Sequence, residues 1–380
     1  MMCHQVLICH HDLAQQLLQQ LRTLNCRSAL VIHGKASFVQ SGAQSIFEKI
    51  SDLIPQLKLH FFSDFSTNPK LQQATDAVCF MQRHTPDVII SVGGGSALDL
   101  AKSTLAFSNR LEHNLDILMN KARMHDVSIP LIVIPTTSGS GSEATHFAAL
   151  YHEGKKYALA DSRLKPTLSL LDGSLTLTMP HMVAVASGLD VLCQSIESLW
   201  SVYATAESKS YAIKALSLWQ LHCKKSIMTH DIQARCAMLE ASYWAGAAID
   251  ISKTTAAHAY SYHLTQEYSI IHGYAVALCL PKILQASCTA TAQPSFFGAL
   301  AEITQALNIE DSVGALIQYF KVLFEDLELE SSLVRLGCNS DEKIDNFISD
   351  VNLERLQNYP LTIDINQFKN IIWEHVYDLS

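Results

Sequence analysis

PDVIISVGGGSALDLAKSTLAF, residues 86–107, decides the architecture of this chain. Pro86 and Asp87 mark a turn. The run that follows is apolar and rich in β-branched residues, as expected of a strand covered on both faces. It ends in three glycines, and ALDLAKSTLAF (97–107) then takes up a helical spacing. Glycines at such a strand–helix junction let backbone N–H groups approach a pyrophosphate, with the positive end of the helix dipole behind them. The pattern is not GxGxxG, so it is not the usual Rossmann fingerprint.

Working outward, SALVIHG (28–34), LKLHFF (57–62), SIPLIVIPTT (128–137) and PTLSLLD (166–172) read as further strands, and YALAD (157–161) as an additional short one. Helical patterns such as LQQATDAVCFMQRH (71–84) separate several of them, which predicts a parallel sheet flanked by helices. Beyond Leu175 the pattern changes. DVLCQSIESLWSVYA, ESKSYAIKALSLWQLHC, DIQARCAMLEASYWAGAAI and SFFGALAEITQALN are amphipathic helices with short connectors. The predicted fold is therefore α/β plus all-α: a dinucleotide-binding domain over 1–175 and a helical domain over 176–380, the boundary falling in DGSLTLTMP (172–180).

Composition narrows the partners. With 48% apolar and 17% charged residues the 380-residue chain has ample core for two domains. The net charge of −9 and the lack of any Lys/Arg-rich block argue against nucleic acid and anionic membrane as partners. Apolar runs such as LIVI (131–134) are too short to span a bilayer, and MMCHQVLICHHDLAQQ does not read as a signal peptide. The ten cysteines form no CxxC pair, which fits reduced thiols, a cytoplasmic location and no zinc ribbon or disulfide framework.

Two more segments carry chemistry. PTTSGSGSEAT (135–145) ends a strand with hydroxyls and small residues suited to a phosphate, a ribose or a nicotinamide amide. TTAAHAYSYHLTQEYSIIHG (254–273) places His258, His263 and His272 in a mostly apolar stretch. On residues alone they can be metal ligands, a catalytic acid or core histidines.

GGGSALDLAK (93–102), PTTSGSGSEAT, FSTNPKL (65–71), DGSLT (172–176) and a His-Gly pair fourteen residues after His258 together resemble the iron-containing (group III) alcohol dehydrogenase family, over about residues 28–285. The resemblance implies a dehydroquinate synthase-like arrangement of a nucleotide-binding α/β domain and a helical domain, a metal in the cleft between them, and a homodimer. It implies cofactor contacts from Asn68, Gly93, Gly94, Gly95, Ser96, Asp99, Thr136, Thr137, Ser140 and Lys156, with Gly34 and Ser37 at the end of the SALVIHG strand. NAD-selective relatives tend to have Asp there. Gly34, Lys35 and Ser37 offer no repulsion to a 2′-phosphate, so NADPH is expected to be accepted as well as NADH.

The implied metal site takes Asp190, His258 and His272. Where the family has a histidine four residues after the aspartate, this chain has Gln194, which either offers its amide oxygen or leaves that corner to water. Such a set suits one divalent ion, Fe(II) or Zn(II). A second functional histidine of the family falls on Tyr262. His263 is one residue further and about 140° around a regular helix from His258, so it does not simply inherit the role. The proton for the product alkoxide comes from Tyr262, His263 or water.

Gln194 together with HAYSYHLTQEYSIIHGYAVALCLP is most similar to the phosphonoacetaldehyde reductase branch. That implies a small aldehyde substrate bearing a phosphonate, reduced to 2-hydroxyethylphosphonate. Lys253, in SKTT (252–255), either holds such an anion or is a solvated helix-end lysine. The alternatives are a general short-chain alcohol or aldehyde dehydrogenase of the same family and, in a different class, a dehydroquinate synthase-like lyase. Asp190, His258 and His272 argue against a non-catalytic binding protein.

Overall fold

The structure is a computed structural model describing residues 4–9, 12–109, 111–124, 129–229, 231–289 and 292–374. It divides into two compact units, Met1–Pro180 with Met228–Gly246, and His181–Ile227 with Ala247–Ser380.

The first unit is built on a six-stranded sheet. Its strands are β1 (Gln5–Ile8), β2 (Ser28–His33), β3 (Lys58–Phe62), β4 (Val88–Gly93), β5 (Leu131–Pro135) and, later in the chain, Leu168–Leu171. Between the last two lies a separate antiparallel hairpin, β6 (Phe147–His152) and β7 (Lys155–Ala160), so Leu168–Leu171 is β8. The order is β1-β8-β5-β4-β2-β3, and every neighbouring pair is parallel.

Side-chain alternation along the strands shows why the sheet is double-faced. Leu30, Ile32, Ile89, Leu131 and Val133 enter one core with the helices Leu71–His84 and Gly95–Phe107. Ala29, Val31, Val88, Ile90, Val92, Ile132 and Ile134 enter the other with the helices Leu13–Thr23 and Ala43–Leu53. The predicted parallel sheet is present. The structure adds β1, a four-residue edge strand, and β6, and begins β7 two residues before the expected 157–161.

The second unit is helical, as predicted, apart from a two-residue antiparallel ladder joining β9 (Ser287–Cys288) to β10 (Thr362–Ile363). The helix His272–Gln285 packs on both His181–Trp200 and Ala256–Glu267. His181–Trp200 is, among the described residues, the one helix long and apolar enough to cross a membrane, yet 83% of its apolar window is buried in the protein. It is a core helix. It carries Asp190, Gln194 and Glu197, all buried.

Candidate active site

The first unit gathers the expected nucleotide-binding residues at the carboxyl ends of β2, β4 and β5. Gly93 ends β4 at φ 153°, and Gly94 precedes the helix Gly95–Phe107. The Thr136 N–H donates to the Gly93 carbonyl at 2.9 Å. A Cβ on Gly94 would sit 3.2 Å from Thr137 Oγ1, and one on Gly95 would sit 3.0 Å from Ser140 Oγ. The two loops thus pack directly on each other, and a side chain at either glycine would press on its neighbour. Ser37 Oγ lies 3.5 Å from the Gly34 carbonyl, and the Gly34 N–H donates to Val92 at 3.3 Å. The Asn68 N–H, at a left-handed φ of 58°, donates to Ser96 Oγ at 3.2 Å.

Thr136 Oγ1 is buried with no hydrogen-bond partner among the described residues, an unmet polar atom beside the glycine loop. Such a hydroxyl fits a bound polar ligand, and a dinucleotide is the group this loop chemistry suits.

Asp99 has a different place. Its carboxylate accepts from Ser142 Oγ at 2.7 Å and from the Ala149 N–H at 3.1 Å, with the charges of Lys102 and Lys156 nearby. These bonds help hold the loops together. Lys102, unremarked in the sequence, does the same. Its fully buried ammonium donates to Ser142 O, Ser142 Oγ, Thr145 Oγ1 and Phe147 O, at 2.6, 3.0, 3.1 and 2.8 Å. At the end of β2, the exposed Lys35 ammonium is 3.2 Å from Asp64, an acidic group that the reading of Gly34, Lys35 and Ser37 did not include. Ser63 and Asp64 follow β3, whose end lies beside that of β2, and this brings an acidic group to the position.

The second unit brings Asp190, His258 and His272 together: one donor atom from each lies within 4.8 Å of the others. His258 Nε2 is 3.3 Å from Asp190 Oδ1, and the two histidine rings meet edge-on with centroids 5.5 Å apart. Gly273 makes this possible, because a Cβ there would lie 2.7 Å from Asp190 Cβ. Without one, the His272 helix comes hard against the Asp190 helix. The Gln194 amide hydrogen-bonds to Asp190. A carboxylate with two imidazoles is a donor set that can hold Fe(II) or Zn(II).

Glu197 was missed in the sequence. Its fully buried carboxylate accepts from His258 Nδ1–H, from Thr255 Oγ1 at 2.6 Å and from the Ala257 N–H at 2.8 Å. It therefore satisfies the first turn of the helix Ala256–Glu267 and fixes the His258 tautomer. With Nδ1–H given to Glu197, the neutral ring carries its lone pair on Nε2, facing Asp190. Burial opposes charge at His258, but the Glu197 and Asp190 carboxylates raise it to about 9. Burial likewise opposes charge at Asp190 and Glu197, and their contacts with His258 hold both below the usual carboxylate range. With the histidine neutral, the two buried carboxylate charges suit a divalent cation.

The three expected catalytic residues separate. The Tyr262 ring stacks on His272, centroids 5.9 Å apart and planes 13° from parallel. His263 points elsewhere: Nδ1 is 2.9 Å from Asp350 Oδ2, and the ring packs near Tyr268 and Phe347. This is the angular offset of one helical position. The Lys253 ammonium lies 3.7 Å from Glu354 and 5.6 Å from the Tyr203 ring centre.

Two family models match in tandem, iron-containing alcohol dehydrogenase over residues 5–173 and the C-terminal domain of the Fe-containing alcohol dehydrogenase family over 184–373. The chain belongs to the iron-containing alcohol dehydrogenase family, whose members are NAD(P)-dependent oxidoreductases. It is 32% identical over 282 residues to long-chain-alcohol dehydrogenase 1 of Geobacillus thermodenitrificans, covering 72% of this chain and 70% of that one. It is 32% identical over 244 residues, 61% of this chain, to the aldehyde-alcohol dehydrogenase of Streptococcus pneumoniae, of which it spans 28%. Among solved structures it resembles the sulfoacetaldehyde reductase of Bifidobacterium kashiwanohense in complex with NAD+, with a TM-score of 0.88, 25% identity and coverage of 99% of this chain and 97% of that one.

Proposed function

We propose that this protein is a metal-dependent NAD(P)H oxidoreductase that reduces a small aldehyde carrying an anionic group, phosphonoacetaldehyde to 2-hydroxyethylphosphonate being the reaction its sequence favours. The observation that carries the reading is the buried Asp190–His258–His272 cluster with Glu197 behind it. The similarity to a sulfoacetaldehyde reductase, named for an aldehyde with a sulfonate, supports the anionic class.

Asp190, His258 and His272 would hold the ion, and Gln194 would orient Asp190 through its amide. Bound there, a divalent cation supplies Lewis acidity to the aldehyde oxygen, and the nicotinamide supplies the hydride. Glu197 keeps Nε2 of His258 unprotonated toward the site. The loops at Gly93–Ser96 and Thr136–Ser140 would hold the dinucleotide, and the unpartnered Thr136 Oγ1 would offer it a hydrogen bond. Tyr262, which stacks on His272, would pass a proton, directly or through water, while His263 faces Asp350. Either NADH or NADPH is accepted, the choice resting on Gly34, Lys35, Ser37 and Asp64. Nine described cysteines carry free thiols, in keeping with a cytoplasmic enzyme, and the family resemblance suggests a homodimer.

The test is to load the protein with Fe(II) or Zn(II) and follow NADPH absorbance with phosphonoacetaldehyde, sulfoacetaldehyde and propanal. Oxidation of NADPH with the charged aldehydes above that with propanal supports the reading. No oxidation with any aldehyde refutes it.

A further inference from the structure

Arg355 is a cation that the reaction outlined above leaves unused. It lies in the short helix Leu353–Leu356, 101 residues from the segment it touches. Its guanidinium carbon stands 5.7 Å from the centre of the Tyr262 ring, the same ring that stacks on His272. One aromatic ring thus neighbours both the guanidinium and a residue of the metal cluster.

The side chain is fixed in that position. One Nη1–H donates to Thr254 Oγ1, and the Thr254 carbonyl accepts from Asn358 Nδ2 at 2.9 Å. Thr254 and Asn358 are both buried, and the Arg355 N–H donates to Asn352 Oδ1 at 3.0 Å. The geometry is built, yet the charge is not balanced: among the described residues no carboxylate lies within the 4.0 Å of an ion pair with Arg355. Its neighbour Glu354 turns instead to Lys253. A half-buried guanidinium has five N–H donors, and the protein contact from Thr254 takes only one. Its planar fork matches two oxygens of a tetrahedral oxyanion, which an ammonium does not.

We propose that Arg355 recognises the anionic end of the substrate, a phosphonate or sulfonate on the carbon next to the aldehyde, beside Tyr262. This rests on the aldehyde-reductase reading for the identity of the substrate, and it moves the anion contact from Lys253, which faces Glu354, to a cation without a counter-ion.

The contact is read without turnover by titrating 2-hydroxyethylphosphonate into metal-loaded wild-type protein, Arg355→Met and Arg355→Lys, with melting temperature recorded for each. Binding weakened about tenfold or more in Arg355→Met and partly restored in Arg355→Lys supports the proposal. Equal binding by wild type and Arg355→Met, or no binding by wild type, overturns it. If Arg355→Met does not fold, Arg355→Lys carries the test: undiminished affinity despite the lost bidentate fork overturns the proposal, and weakened affinity supports it. In turnover, the ratio of kcat/KM for phosphonoacetaldehyde to that for propanal should fall by a similar factor in Arg355→Met, and an unchanged ratio overturns the proposal. A protein that binds the phosphonate through Arg355 yet oxidises NADPH with no aldehyde refutes the reductase reading and keeps this one.

Discussion

The imidazole of His258 gives its Nδ1–H to Glu197 and presents Nε2 to Asp190 at 3.3 Å. One buried carboxylate thus sets the tautomer of the candidate metal ligand His258 and caps the helix that bears it. Removing such a partner costs about 10- to 100-fold in metal affinity. Glu197→Gln should weaken Zn(II) binding by that factor in a competition with a chromophoric chelator. Unchanged affinity would make Glu197 a helix cap and nothing more.

The contact of Gly94 with Thr137 yields a second expectation. A branched side chain at Gly94 must displace the Thr137 loop or enter the space above the helix terminus. Gly94→Val should lower dinucleotide affinity about tenfold or more, at an overpacking cost of about 1–3 kcal/mol. Titration by NADPH fluorescence measures it. Affinity equal to wild type would remove the glycine loop from the cofactor site.

The Lys35–Asp64 pair carries the proposed nucleotide preference. The pair is exposed at both ends, so it is worth about 1 kcal/mol or less and opens easily. Asp64→Asn removes the acidic group and frees the ammonium for a 2′-phosphate. The ratio of kcat/KM for NADPH to that for NADH should rise about three- to tenfold. A fall in that ratio would place the 2′-position elsewhere.

Much of this was legible from local pattern. The glycine loop, the strands β2 to β5 and β8, and the His258–His272 spacing all follow from short segments whose periodicity and chemistry agree. The missing pieces are non-local or short. β1 is four residues at an edge, too brief for alternation to register, and β6 pairs through a turn at Glu153–Gly154 with both residues at positive φ. Glu197 was legible in principle: Asp190, Gln194 and Glu197 follow the i, i+4, i+7 spacing of one helix face. Arg355 was not, because only the fold brings it to Tyr262. Nor was the packing of Met228–Gly246 with the first unit.

Glu143 predicts a pH dependence. Burial raises its carboxyl from 4.5 to about 6, against the bond it accepts from Ser242 Oγ at 2.8 Å. The folded-state value lies above the unfolded one, so its contribution to stability is complete below pH 4.5 and lost as pH rises through about 6. Glu143→Gln keeps an acceptor for Ser242 and removes the buried charge. It should be more stable than wild type by up to about 2 kcal/mol at neutral pH, the gain shrinking toward the acid end of that window. Urea unfolding across the range measures this, and a constant difference between the two proteins would contradict it.

The most direct measurement is the metal content of His258→Ala, His272→Ala and His263→Ala, each purified after loading with one equivalent of Fe(II) or Zn(II). The first two should come out metal-poor and inactive, since each removes one of three clustered donors. His263→Ala should retain its metal, because its ring faces Asp350. A metal-free His263→Ala, or a His258→Ala that keeps its full complement, would contradict the site.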